Sequence, residues 1–385
     1  MAPETMNHLN DYKVIVFTCA YNVEKVLERT IQSVLNQTHG NFEYYLFDNA
    51  STDRTWEVIQ EYAHRDKRII PNGFDFNTFG RAYEFIYSIE DYSKMRYFVI
   101  LDSDDEYVPQ AFELLLKTVL ETGADIVGAN SFYIDADTGE PRDKFTLEKD
   151  MVIEGDDFDM QFPQYYKYMR TVWGKMYDLY KLVDPIKSKS KSKPKPKSKL
   201  SLGEPYYEPP AISNSFTAWL FFLSKKIYIL KNRLYRYYIR SNSISRQYYE
   251  NRFGSIKKSY KNNAAYLAAK TRGQNSAENS NFILYEAFKE IRITLPKLFS
   301  AQIKPVKKLR ELIGILSDDI VRAMYRQTDF ACVEKYILLD SVREWLSRQN
   351  LKAGLEEDGL TAEVEACLSE LLQDRNRHSA NHIDH

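Results

Sequence analysis

From Val14 to Ala129 the chain alternates between two apolar patterns, and this alternation restricts the fold more than any other feature of the sequence. Val14 to Thr18 is a continuous β-branched and aromatic run, the pattern of a central parallel strand buried on both faces. Val23, Val26, Leu27, Thr30, Ile31, Val34 and Leu35 follow at helical spacing, with their stripe turned toward a sheet. A strand at Phe42 to Phe47 ends in Asp48. The turn Asn49-Ala50-Ser51-Thr52-Asp53 then supplies capping residue types before a helix with Val58, Ile59, Tyr62 and Ala63 inward. Arg68 to Ile70 reads as a short strand, Gly80 to Ile89 as a helix and Tyr97 to Leu101 as a strand. A helix carrying Phe112, Leu115, Leu116, Val119 and Leu120 and a strand at Asp125 to Ala129 complete the series. Such regular alternation predicts an α/β fold with a doubly wound, mostly parallel sheet.

In such sheets ligands bind at the carboxyl ends of the strands. Tyr97 to Leu101 runs straight into Asp102, Ser103, Asp104 and Asp105, with Pro109 behind as a helix-start signal. A cluster of acids there is costly unless something positive neutralises it, and Mg²⁺ or Mn²⁺ takes one or two carboxylates and completes its shell from water and phosphate oxygens. An acidic surface turn with Asp as a helix cap accounts for the same four residues taken alone. The other strand ends offer Cys19-Ala20-Tyr21-Asn22 and Asp48-Asn49. An aromatic ring, a polar amide or acid and paired carboxylates along one rim suit a base, a ribose and a metal-bound diphosphate. None of the 14 glycines forms G-x-G-x-x-G after the first strand, and no G-K-[ST] is present, which sets aside ordinary dehydrogenase and P-loop readings.

The net charge of −1 implies no general attraction to nucleic acid or to an anionic membrane. Cys19, Cys332 and Cys367 are odd in number and too far apart for zinc spacing, which favours a reducing compartment. Met1 to Asp11 is polar, without the pattern of a secretory signal, and the apolar run Ala218 to Leu223 is far too short to span a bilayer. A cytoplasmic protein is expected, with peripheral membrane attachment left open.

Four stretches together resemble glycosyltransferase family 2: T-C-A-Y-N at 18 to 22, S-V-L-N-Q-T at 33 to 38, F-D-N-A-S-T-D-R-T at 47 to 55 and L-D-S-D-D at 101 to 105. The likeness continues more loosely through Trp173-Gly174-Lys175 and Leu234 to Tyr238, ends near Ser243-Ile244-Ser245, and covers roughly residues 12 to 246. It implies a GT-A fold and inverting transfer of a sugar from a nucleotide diphosphate donor to a glycan or lipid-linked acceptor, in bacterial surface polysaccharide synthesis. It also implies roles for single residues. Cys19, Tyr21, Asn22, Asp48, Asn49, Arg81, Asp102 and Ser103 would line the nucleotide sugar, with Tyr21 stacked on the base and Arg81 approaching the diphosphate. Asp102 and Asp104 would hold Mn²⁺ or Mg²⁺. Trp173 and Lys175 would face the acceptor, with Asp105 near that side as a further catalytic candidate. Many relatives place a second Asp where this chain has Asn49, and an amide both donates and accepts, so uracil is not singled out by its N–H.

Inverting transfer needs a base for the acceptor hydroxyl. The family's Glu-Asp pair corresponds here to Tyr206-Tyr207-Glu208-Pro209-Pro210, which leaves Glu208 as the candidate base with Glu204 behind it. The missing Asp keeps open a second reading, a catalytically weakened sugar-nucleotide binding protein; a nucleotidyltransferase is a distant third. No histidine lies between His64 and His378, so a third protein ligand to the metal would be another residue or water.

Two further regions stand apart. Lys187 to Lys199 has seven lysines at alternate positions and no acid, the composition of an extended loop or linker. Residues 246 to 310 hold 14 Lys or Arg against 4 Asp or Glu, and 311 to 385 hold 8 against 15. Helical patterns at Phe282 to Leu295, Val306 to Met324 and Val333 to Leu346 predict a helical domain over 246–385 after a GT-A domain over 1–245. An anionic membrane surface, a homodimer contact and internal pairing of the basic and acidic parts all fit that charge pattern.

Overall fold

The computed structural model describes residues 8–380 apart from 78–80, 143, 145, 188–210, 241–247, 275, 327–331 and 349–354. The chain divides into two compact units, Met1–Ser241 with Ala269–Thr271, and Asn242–Ala268 with Arg272–His385.

The first unit is built on β1 (Val14–Ala20), β2 (Phe42–Asp48), β3 (Ile69–Gly73), β4 (Tyr97–Ile100), β5 (Glu106–Tyr107), β6 (Ile126–Asp135), β7 (Met151–Glu154), β8 (Lys175–Asp178) and β9 (Lys226–Ile239). They form one sheet in the order β3-β2-β1-β4-β8-β6-β9-β5, with β7 also paired to β9. The half from β3 to β4 is wholly parallel, and the apolar runs Val14–Phe17 and Tyr97–Ile100 are buried within it. Register brings its carboxyl ends level: Ala20 opposes Asp48, Phe17 opposes Ile100, and the Leu101 N–H donates to the Phe17 carbonyl at 3.0 Å. Residues 21, 49 and 102 therefore emerge along one edge.

The helices α1 (Leu27–Leu35), α2 (Thr55–Arg65), α3 (Arg81–Ser88) and α4 (Ala111–Thr122) follow the predicted alternation. Leu27, Thr30, Ile31 and Val34 of α1 and Leu115, Leu116 and Val119 of α4 turn into the core. The last helix ends on Gly123 at φ 66°, a left-handed cap that glycine adopts without strain.

Beyond β4 the sheet is mixed. β8 runs antiparallel between β4 and β6, and β9 lies parallel to β6 and antiparallel to β5 and β7. The strand expected over Asp125 to Ala129 extends to Asp135, because β9 keeps pairing with it past a register shift at Asn130. The shorter helices α5 (Asp157–Met160), α6 (Phe162–Met169), α7 (Leu179–Leu182), α8 (Asp184–Lys187) and α9 (Ala211–Leu223) complete this unit.

The second unit is helical, with α10 (Arg252–Lys270), α11 (Ala277–Ser300), α12 (Pro305–Leu316), α13 (Asp319–Arg326), α14 (Cys332–Arg348) and α15 (Leu355–Ala380). Its core gathers Leu295, Leu309, Leu316, Met324, Leu339 and Leu368, with Trp345 stacked on Phe299 at 5.0 Å. The helical pattern over Val306 to Met324 is broken in two. Asp318 ends it by accepting the Ile320 N–H on Oδ1, a short-range bond that competes with the helical one. No helix among the described residues is long and apolar enough to cross a membrane.

Candidate active site

The edge formed by the carboxyl ends of β2, β1 and β4 carries most of the predicted residues. Tyr21 leaves β1 with its ring 42% exposed, free to meet a planar ligand. The loop that presents it is tied to the loop after β2. Asn22, at φ 52°, donates its N–H to Ser51 Oγ at 3.1 Å and accepts the Thr52 N–H on Oδ1 at 2.8 Å. Val23 N–H donates to Thr55 Oγ1, and Glu24 N–H to Asp53. The stretch from Ser51 to Thr55 thus shapes the turn that holds Tyr21, and the Asn22 side chain serves that tie. Cys19 is half-buried, and burial, with Asp48 adding and Arg81 opposing, pushes its thiol up to about 12, so it is no thiolate nucleophile.

Asp48 is buried at the end of β2, where Oδ2 accepts the Ser51 N–H at 3.0 Å. Its Oδ1 is buried without a hydrogen-bond partner among the described residues. An acceptor in that condition is costly unless a ligand donor meets it. Asn49 donates its backbone N–H to Ala20 at 2.8 Å and its amide to Asn77 Oδ1 at 3.3 Å, and accepts Arg81 Nε at 3.4 Å. Arg81 is buried. Its other nitrogens donate to Glu84 and to the Phe76 carbonyl at 2.8 Å, and its plane lies 3.7 Å from the Phe74 ring centroid. The structure thus places Arg81 as the orienter of Asn49, stacked on an aromatic wall.

The acid loop after β4 is clamped from both sides. From α1, Arg29 Nη2 donates to the Asp104 carbonyl at 2.7 Å, and the Thr30 hydroxyl lies 3.1 Å from the Ser103 carbonyl and 2.9 Å from that of Asp105. From β9, the Tyr235 hydroxyl accepts the Asp102 N–H at 3.1 Å and donates to Asp105 Oδ2 at 3.0 Å, while the Tyr238 N–H donates to Asp105 Oδ1 at 2.9 Å. Asp105 is 1% exposed with both carboxylate oxygens engaged. It anchors the loop to β9 through these two bonds. Arg29, Thr30, Tyr235 and Tyr238 are not among the site residues expected from the sequence. Their part depends on contacts across 73 to 133 residues of chain, for which a single sequence carries no signal.

Asp102 and Asp104 remain partly open to solvent. Burial and then the Asp104 charge push the Asp102 carboxyl up to about 7, with Lys175 opposing. Asp105 is raised well above the carboxylate range by burial and by Asp102 and Asp104. Crowded carboxylates of this kind are relieved by a cation. Among the described residues no three His, Cys, Asp or Glu side chains are grouped to hold a metal ion. Asp102 and Asp104 would offer a divalent cation carboxylate oxygens only in part, and phosphate and water oxygens would have to complete its shell.

Trp173 lies over Tyr235 at 4.6 Å and 9° and over Tyr237 at 5.1 Å and 18°, so an aromatic layer backs the acid loop. Lys175 is 1% exposed, and Nζ donates to the Thr171 carbonyl at 2.6 Å, Thr171 Oγ1 at 2.7 Å and the Trp173 carbonyl at 3.0 Å. Burial lowers its pKa well below the usual lysine value, against the pull of Asp102. With all three donors used, it braces the turn at Trp173. Glu204, Glu208, Lys189 to Lys199 and Ser243-Ile244-Ser245 lie outside the described residues.

Residues 15–180 match the sequence model of Glycosyl transferase family 2. The chain is 33% identical over 132 residues to a putative teichuronic acid biosynthesis glycosyltransferase of Bacillus subtilis, across 34% of this chain and 51% of the relative. It is 32% identical over 126 residues to the Escherichia coli UDP-Glc:alpha-D-GlcNAc-diphosphoundecaprenol beta-1,3-glucosyltransferase WfaP, across 32% of this chain and 47% of the relative. Such matches span about half the length of these relatives. Staphylococcus aureus TarS 1–349 in complex with UDP-GlcNAc superposes with a TM-score of 0.56 at 16% identity, over 93% of this chain and 92% of that one. That likeness shows the GT-A fold. The segment that carries Tyr21, Asp48 and the clamped acid loop, residues 15–180, is thus a glycosyltransferase family 2 segment.

Proposed function

We propose that this protein transfers a sugar, with inversion, from a UDP-sugar to a hydroxyl of a glycan or lipid-linked acceptor in bacterial surface polysaccharide synthesis. The observation that carries this reading is the pairing of Asp102 and Asp104 on a clamped loop, on the same sheet edge as the exposed Tyr21 and the unpartnered Asp48 Oδ1. The names of the bacterial relatives, which specify polysaccharide synthesis and a lipid-linked acceptor, support it, as does the UDP-GlcNAc complex of the TarS neighbour.

Tyr21 stacks on the base, and Asp48 Oδ1 accepts an N–H from its edge. Asp102 and Asp104 would hold Mn²⁺ or Mg²⁺, which supplies neutralisation of the departing diphosphate. The loop needs little reorganisation, since its backbone is already fixed by Arg29, Thr30 and Tyr235. Glu208 takes the proton from the acceptor hydroxyl, on the sugar face opposite the leaving group. The second unit's basic first part meets an anionic membrane surface.

A panel of nucleotide sugars, assayed for transfer and for hydrolysis, tests the reading. UDP-sugars are expected to turn over in a Mn²⁺-dependent way. Tight UDP binding with no turnover of any donor would instead establish a sugar-nucleotide binding protein.

A further inference from the structure

Arg240, the first residue after β9, pairs through Nη1 with Asp104 Oδ2 at 3.4 Å. The strand fixes where it emerges, because Tyr238 donates its N–H to Asp105 and Arg236 opposes Glu106 in the β5–β9 register. The other cations around this loop are held elsewhere. Lys175 donates to Thr171 and Trp173; Arg29 to the Asp104 carbonyl, with Nε beside Glu106; Arg81 to Asn49, Glu84 and Phe76. Arg236 pairs with Glu106. Among the described residues, Arg240 is the guanidinium that meets a carboxylate of the Asp102–Asp104 pair.

We propose that Arg240 is a diphosphate-binding residue that competes with a divalent cation for Asp104, and turns its guanidinium to the donor diphosphate when the cation takes that carboxylate. This rests on the reading of the site as a metal-dependent UDP-sugar site, and adds a residue which that reading does not use. Two carboxylates balance one divalent cation, so a guanidinium left at Asp104 would face that cation across one oxygen and be repelled. The diphosphate brings new negative charge to the same place, and the planar fork of arginine matches phosphate oxygens with two parallel N–H bonds. The exchange does not unbury the core, since the Arg240 and Asp104 side chains are 22% and 34% exposed.

The test uses the full chain, with Mn²⁺ alone and UDP in saturating Mn²⁺ as probes, in the parent, Arg240→Gln and Arg240→Lys. Loss of the competing charge in Arg240→Gln is expected to tighten Mn²⁺ binding by about threefold to tenfold, and to weaken UDP binding in saturating Mn²⁺ by about tenfold, the scale of one charge-assisted contact. Arg240→Lys keeps the charge without the fork, so its Mn²⁺ affinity should stay near that of the parent while its UDP affinity drops. Melting temperatures are compared to confirm that all three fold. Mn²⁺ and UDP affinities in Arg240→Gln equal to those of the parent would overturn the role of Arg240 and leave the donor site standing. A parent that binds neither Mn²⁺ nor UDP would take down both.

Discussion

The Tyr235 hydroxyl donates to the Asp105 carboxylate at 3.0 Å, and the same oxygen accepts the Asp102 N–H at 3.1 Å. The backbone N–H occupies a lone pair of the phenolic oxygen and leaves the phenolic hydrogen for Asp105. One hydroxyl thereby joins the last long strand to both ends of the acid loop. Tyr235→Phe keeps the ring stacked on Trp173 and removes only this link. It should lower stability by about 1–3 kcal/mol, since it leaves a buried carboxylate oxygen and an N–H short of a partner. It should also weaken the Mn²⁺-dependent part of UDP binding. Denaturant unfolding and calorimetric titration check the two effects, and parental values in both would show that the loop holds its shape without Tyr235.

Asp104→Asn tests the metal pair itself. The substitution keeps size and removes one charge, so UDP affinity in Mn²⁺ should fall while metal-free affinity does not. Most of the transfer activity should be lost with it. Equal UDP affinity with and without Mn²⁺ in the parent chain would remove the basis for a metal here.

The strand ends at Tyr21, Asp48 and Asp102 were legible because apolar runs that stop at polar residues mark the rim of a parallel sheet. What those residues do in the fold was less legible. Asp105 reads as one of three equivalent acids, yet its carboxylate is consumed by Tyr235 and Tyr238, more than a hundred residues away. Asn22 and Arg81 read as ligand contacts, while the structure engages them with Thr52 and Asn49. The reversed strand β8 was invisible because Lys175 to Asp178 is too short to show a period. Arg240 gave no signal at all, since an ion pair to Asp104 exists only once β9 has paired with β5.

His39 gives the unit a pH dependence of known sign. It is 2% exposed, its Nε2 is 3.0 Å from the carbonyls of Tyr12 and Asn41, and burial holds its pKa below 6.5. The folded state therefore binds fewer protons than the unfolded chain once pH drops below 6.5. The stabilisation is complete above that value and is lost as pH falls through the folded-state pKa. Urea midpoints measured from about pH 8 to about pH 5 should decline at the acid end. His39→Gln should flatten that decline, and an unchanged slope would assign it to carboxylates instead.

The charge of the second unit makes membrane attachment testable. Residues 246–310 carry 14 Lys or Arg against 4 Asp or Glu. At about 1 kcal/mol for each basic residue close to an anionic surface, several acting together give binding that salt weakens steeply. Cosedimentation with vesicles rich in phosphatidylserine should exceed that with phosphatidylcholine and fall as salt rises. Equal sedimentation with both would exclude an electrostatic attachment.

The general base is the sharpest test of catalysis. Glu208 precedes Pro209 and Pro210 in the sequence, and proline disfavours helical backbone in the residue before it. The helix α9 that follows in the chain buries Phe216, Trp219 and Leu220. Glu208→Gln should lower turnover by roughly two to four orders of magnitude, the scale of a lost general base, and leave UDP affinity nearly unchanged. A carboxylate that only caps α9 behaves otherwise: Gln would cost some stability and leave turnover per folded molecule intact. Parental turnover in Glu208→Gln would therefore move the base elsewhere, with Glu204 and Asp105 next, the latter held on both oxygens by Tyr235 and Tyr238.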